Sequence, residues 1–126
     1  MAGKTRDVAE QLATLCRENR TDEGLNTLYH PECVSVEAGP PPGADSAETH
    51  GVDGIRGKHE WWESAMEVHS ASVEGPFMHG DDRFGLIFEM DTTDRESGQR
   101  MAMKELGVYT VNGDGKIVRE EFFYTM

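Results

Sequence analysis

Glu105 and Glu120 fall where the hydrophobic pattern otherwise places Met and aromatic side chains. The C-terminal stretch 99–126 reads QRMAMKELGVYTVNGDGKIVREEFFYTM. Its two strand-like runs are joined by Asn112-Gly113-Asp114-Gly115, a strong short-range hairpin signal. A symmetric loop sets Val111 opposite Lys116, and so Gly107 opposite Glu120. Side chains alternate between faces. One face then carries Met101, Met103, Glu105, Gly107, Tyr109, Val118, Glu120, Phe122 and Tyr124. Carboxylates on such a face are costly unless they are paired or used. Glu105 is the diagonal neighbour of Glu120, roughly 7–8 Å away by backbone geometry. Two acids that close do not both ionise easily, and one gains a raised pKa suited to acid–base work. A glycine across from Glu120 leaves room for that side chain or for a ligand. The alternative is a buried structural ion pair of Glu105 or Glu120 with Arg100, Arg119 or another base.

Other groups could join that chemistry. His59 shares a helical stripe with Ile55, Trp62 and Met66, where a histidine is either a catalyst or a satisfied core residue. Tyr109 and Tyr124 could donate to a substrate oxygen, or satisfy the protein's own polar groups. Phe88, Met103, Phe122 and Trp62 are the expected apolar lining. His50, His69 and His79, with Glu67 and Glu74, lack HExxH or any paired ligand spacing, so no metal is expected. Asn112 to Gly115 lacks the acidic ladder of a calcium loop.

Periodicity sets the helices and strands that carry these residues. Val8, Leu12, Leu15 and Cys16 predict a helix over residues 5–19. Thr21-Asp22 caps a second, through Tyr29, that Pro31 ends. Residues 33–37 (CVSVE) form a short strand. Residues 39–50 hold three prolines among small polar residues and read as a loop. A third helix spans 51–68. Strands follow at 70–78, interrupted at Gly75-Pro76, and at 83–93, with Phe84, Leu86, Phe88 and Met90 on one face. The hairpin closes the chain, and 91–96 reads as a solvated connection. Helices gathered before a run of antiparallel strands predict an α+β domain, with helices on one face of a bent sheet.

Composition narrows the function. The 126 residues suit one domain, 1–126, with its own core. A net charge of −12 leaves no basic footprint for nucleic acid and disfavours anionic membranes. No run could span a bilayer and no signal-type segment opens the chain, so a cytoplasmic location is expected. Cys16 and Cys33 lack metal-type spacing and read as buried free thiols.

The order of elements, with the strings 25–37 (LNTLYHPECVSVE), 51–62 (GVDGIRGKHEWW) and 113–124 (GDGKIVREEFFY), resembles the nuclear transport factor 2-like superfamily, especially its SnoaL-like branch. The resemblance covers nearly the whole chain. It implies a cone of strongly curved antiparallel sheet closed by three helices (a cystatin-like α+β roll), commonly dimeric, in a family that includes ketosteroid isomerase and polyketide cyclases. It places Glu37 where the isomerase has its general base. Where the isomerase has its protonated acid, this chain has Gly107. Where it has its oxyanion tyrosine, this chain has Ala13 or a neighbour. One of three roles therefore keeps its residue type.

The function expected is cofactor-free proton transfer (isomerisation, cyclisation or dehydration) on a small oxygenated apolar molecule. A carboxylate among Glu37, Glu105 and Glu120 would be the base. Tyr109, Tyr124 or His59 would hold the developing oxyanion. A non-catalytic ligand-binding domain is the first alternative. The second is a homodimerisation module using the outward hairpin face of Leu106, Val108, Ile117 and Phe123.

Overall fold

A computed structural model of the chain describes residues 2–40 and 43–124. Helix α1 (Ala2–Arg17) buries Val8, Leu12 and Leu15, with Ala9 and Ala13 beside them. The small alanines let it lie close on the sheet. Asn19 turns the chain at a φ of 57°, and α2 (Thr21–Thr27) follows. Arg20 holds its cap position without a side-chain cap, and Thr21 is the first helical residue. Tyr29, expected on that helix, instead opens strand β1 (Tyr29–Val36). Pro31 therefore lies within a strand. Its missing N–H does no harm, because the pairing of β1 is irregular between Tyr29 and Val34.

Strand β2 (Glu48–His50) forms inside the segment expected to be a loop and pairs with the end of β1. Pro41 and Pro42 of that segment, like Thr125 and Met126 of the hairpin, lie outside the described residues. Helix α3 (Val52–Ala65) stops short of the expected end, because Met66 is already extended and begins β3 (Met66–His79). Strands β4 (Arg83–Asp94), β5 (Arg100–Val111) and β6 (Ile117–Phe123) complete one curved sheet of order β2-β1-β6-β5-β4-β3. All neighbours are antiparallel except β1 and β6, which run parallel. Hairpin logic pairs only sequential strands, so it does not anticipate this contact between the two ends of the chain.

The break at Gly75-Pro76 is a bend. Pairing of β3 with β4 shifts between Glu74 and Phe77. Gly75 has a φ of 119°, and a Cβ there would come within 3.0 Å of the Gly85 carbonyl oxygen. Arg17 donates to the carbonyls of Val73 (3.2 Å) and Gly75 (2.9 Å), which ties the bend to the end of α1.

The hairpin register differs from the expected one by two residues. The Asn112 side-chain oxygen accepts from the N–H groups of Asp114 and Lys116, both at 3.0 Å, and the turn extends through Lys116. Val111 therefore pairs with Ile117. Val118 is then an extra residue before Thr110 pairs with Arg119. Either offset alone would exchange the faces. Together they restore them, so Tyr109 faces Glu120, and Gly107 faces Phe122. Ile117 precedes the bulge and is the exception. It turns inward and is fully buried, not on the outer face.

The core lies between the helices and the inner sheet face. Leu25, Ile55, Phe84, Leu86 and Ile117 are buried there, each contributing about 1.5–3 kcal/mol. No helix is long and apolar enough to cross a membrane.

Candidate functional site

Glu120 lies at the bottom of the inner face with 1% of its surface exposed. One oxygen accepts from the Tyr29 hydroxyl and the other from Ser35 Oγ at 2.7 Å. Its charge is thus held by two neutral donors. Burial and then Glu120 push Tyr29 and Tyr109 well above the usual tyrosine range. The same causes lift the Cys16 and Cys33 thiols to about 12. Both cysteines are free, Cys33 buried and Cys16 half-buried, and as protonated thiols they are poor nucleophiles. Tyr109 stacks on Phe84 at 5.0 Å between centroids and meets Phe122 edge-on at 6.2 Å. It forms the floor of the inner face.

A polar chain leads outward from Glu120. Lys58 of α3 donates to Ser35 Oγ at 2.8 Å and to Glu37 Oε1 at 2.6 Å. Its ammonium lies 5.7 Å from the Phe122 ring centroid. The second oxygen of Glu37 accepts from the Tyr124 hydroxyl at 3.2 Å. Burial, then the Glu37 charge, push Tyr124 to about 12. Glu37 is therefore half of a partly buried ion pair. The arginines offered as partners for Glu105 and Glu120 are used elsewhere: Arg100 binds Asp91 at 2.8 Å, and Arg119 binds Glu121 at 3.2 Å.

Glu105 differs from the other two acids. It sits directly across from Phe88 and two residues before Gly107. A Cβ at Gly107 would lie 3.1 Å from the Phe122 and Tyr109 rings. The room expected at that glycine, for the Glu120 side chain or for a ligand, is thus taken by the Phe122 and Tyr109 rings. Glu105 has no hydrogen-bond or ion-pair partner among the described residues. Burial first, then the charges of Glu37 and Glu120, push it up to about 7, with Lys58 opposing. His59 Nδ1 is enclosed and has no hydrogen-bond partner among the described residues. Burial lowers its pKa below the usual value, so the ring is neutral at pH 7.

Trp62 and Phe88 are half-buried, and Trp61 is 62% exposed. Met103 pairs with Met90 farther out on the same face. A cleft of about 190 Å³ opens at the ends of β1 and β6, with Glu37, Phe122 and Tyr124 in its wall. Among the described residues no group of His, Cys, Asp and Glu is arranged to hold a metal.

Tyr29, Ser35 and Lys58 were not anticipated as site residues. Two of them had a signal. Ser35 precedes Glu37 by one strand period. Lys58 follows Ile55 by three residues, on the inward stripe of α3. Tyr29 had none, since its face depends on where α2 stops.

A family model of the SnoaL-like domain matches residues 4–124. A candidate SnoaL-like polyketide cyclase from Mesorhizobium loti is 35% identical and superposes with a TM-score of 0.86, over 94% of this chain and 97% of that one. A candidate isomerase from Bacillus subtilis, 16% identical, has a TM-score of 0.74 over 98% of this chain and 87% of that one. RV0760c from Mycobacterium tuberculosis, in complex with estradiol-17beta-hemisuccinate, is 13% identical with a TM-score of 0.75 over 98% and 95%. The last two share the fold. Among curated proteins, none matches this sequence.

Proposed function

The chain belongs to the SnoaL-like domain family, and we propose that its inner face binds a small, largely apolar molecule and moves a proton on it with Glu105. One observation carries this reading: Glu105 is an inner-face carboxyl across from Phe88, with no hydrogen-bond or ion-pair partner among the described residues, and burial pushes it up to about 7. Glu120 and Glu37 are already engaged by Tyr29, Ser35, Lys58 and Tyr124. They position and polarise rather than react. His59 Nδ1 and the Tyr124 hydroxyl are the groups nearest in role to an oxyanion donor or acceptor. Phe88, Phe122, Trp62 and Met103 supply apolar contact. The relatives support a ligand-holding cone: one is described as a polyketide cyclase candidate, and another is complexed with a steroid ester.

The test is deuterium uptake next to the carbonyl of 2-tetralone, a small apolar ketone with mobile protons. The protein is expected to accelerate exchange. The base works ionised, so the rate should rise as pH passes about 7 and then level off. Glu105→Gln should lower it by about 10²–10⁴-fold, the usual worth of a general base. Unchanged exchange in that variant would remove Glu105 from the role. Saturable binding without any exchange would leave a non-catalytic binding domain.

The outer face supports self-association. Ile87, Leu106 and Phe123 form one cross-strand row, with Leu106 38% and Phe123 52% exposed, and Phe77 lies nearby at 51%. Charges around this row are paired within the chain, Arg119 with Glu121 at 3.2 Å and Lys104 with Glu89 at 3.3 Å, so the apolar row carries the contact. A two-fold partner would set this apolar row against its own copy. Light scattering is expected to give a dimer at micromolar concentration and a monomer for Leu106→Glu. A monomeric wild-type protein would end this part of the reading.

A further inference from the structure

We infer that the protein selects its ligand by size: the Phe122 ring closes the deep end of the inner face, so the site admits a molecule of one or two fused rings and excludes a four-ring steroid. The inference deepens the proposed ligand site, naming the class of molecule it takes, and rests on that reading.

Gly107 is the centre of the closure. It stands between Leu86 of β4 and Phe122 of β6 in one cross-strand row. It has no side chain, and its neighbours use the space. A Cβ there would lie 3.1 Å from Phe122 Cε1, and 3.1 Å from both Cε2 and the hydroxyl oxygen of Tyr109. Two rings therefore converge over one residue. They meet edge-on with 6.2 Å between centroids, a favoured aromatic arrangement. Tyr109 has nowhere to retreat, because it stacks on the buried Phe84 at 5.0 Å and is itself 2% exposed. Beside it lies the buried Glu120, with Tyr29 and Ser35 both donating to its oxygens. A ligand that pushed into these groups would leave buried hydroxyls unpaired.

Phe122 is the outermost layer of this packing. It is half-buried, packs against the core, and lies in the wall of the cleft at the ends of β1 and β6. The Lys58 ammonium, held by Ser35 at 2.8 Å and Glu37 at 2.6 Å, lies 5.7 Å from its centroid. The ring is thus confined by Gly107, Tyr109 and Lys58. What stays open beside it is about 190 Å³, with Val36, Ala38 and Phe123 as further apolar wall. Glu37 and Tyr124 of the same wall interact electrostatically with Glu105, which joins the cleft to the proposed base. Sites for drug-sized ligands span about 300–1,000 Å³. The cleft is smaller and suits one or two fused rings. Four would need the space that Phe122 fills.

Equilibrium dialysis, with protein in excess over a trace of probe, tests this with estradiol and its two-ring fragment 6-hydroxytetralin. An open apolar site would hold the larger probe more tightly, because binding strengthens with the apolar area buried. Here the order is expected to reverse, with estradiol at least about tenfold weaker than the fragment. Phe122→Ala should raise estradiol binding at least about tenfold relative to the fragment, and Phe122→Leu by a smaller factor. Far-ultraviolet dichroism confirms the fold of each variant, and the wild-type comparison stands without them. If wild type binds estradiol as tightly as the fragment, the size limit is wrong and the ligand site stands. If the limit holds but neither folded variant relaxes it, Phe122 is not the closure and the inference fails. If neither probe is retained at millimolar protein, the ligand-site reading fails, and the inference with it.

Discussion

Glu120→Ala is expected to lower the unfolding free energy by about 3–5 kcal/mol. The carboxylate is 1% exposed and is the acceptor for both Tyr29 and Ser35. Removing it leaves two buried hydroxyls without that acceptor, each costing about 1–3 kcal/mol, and opens a void beneath Tyr109. Ser35 can still accept from Lys58, so part of the chain survives and keeps the loss below the simple sum. Glu120→Gln retains one acceptor oxygen and should lose about 1–2 kcal/mol. Urea unfolding with an unchanged denaturant slope gives the comparison. A loss below about 1 kcal/mol for the alanine variant would mean that water replaces the carboxylate, and that Glu120 does not anchor β6 to β1.

That anchor explains which parts of the molecule were legible in the sequence. Alternation alone put Glu105, Glu120, Phe122 and Tyr124 on one face, and the protein keeps them there. The pairing was not legible. The Asn112 side chain extends the turn to Lys116, and Val118 bulges, so Glu120 faces Tyr109. The two offsets cancel in face and add in register, and no short-range pattern distinguishes that case from a symmetric loop. Ile117, between them, was assigned outward for the same reason. The roles of the three acids were legible only as a class. What separates them is long-range: β1 lies parallel to β6, which brings Ser35 to Glu120. Helix α3 then drops Lys58 between Ser35 and Glu37. Glu105 becomes the unpartnered acid only after the other two are satisfied.

Glu105→Gln should therefore stabilise the protein at alkaline pH while removing its function. The carboxyl is pushed from 4.5 to about 7, chiefly by burial and then by Glu37 and Glu120. Below about pH 4.5 it is protonated in both folded and unfolded chains, and its contribution is fully present. As pH rises toward 7 the unfolded chain gives up this proton while the native chain keeps it, so stability is lost across that window. The whole shift corresponds to about 3 kcal/mol, and partial solvent access reduces this to about 2 kcal/mol. Glutamine keeps the shape and never ionises. The variant should thus gain about 2 kcal/mol over wild type at pH 8 and differ by less than about 0.5 kcal/mol at pH 4. Denaturant midpoints at the two pH values measure it, and subtraction cancels every other titrating group common to both chains. An equal difference at both pH values would show that Glu105 does not titrate between them. At pH 8 the protein thus holds an ionised carboxylate that Lys58 offsets only in part and that no described residue pairs with, and its stability carries that cost.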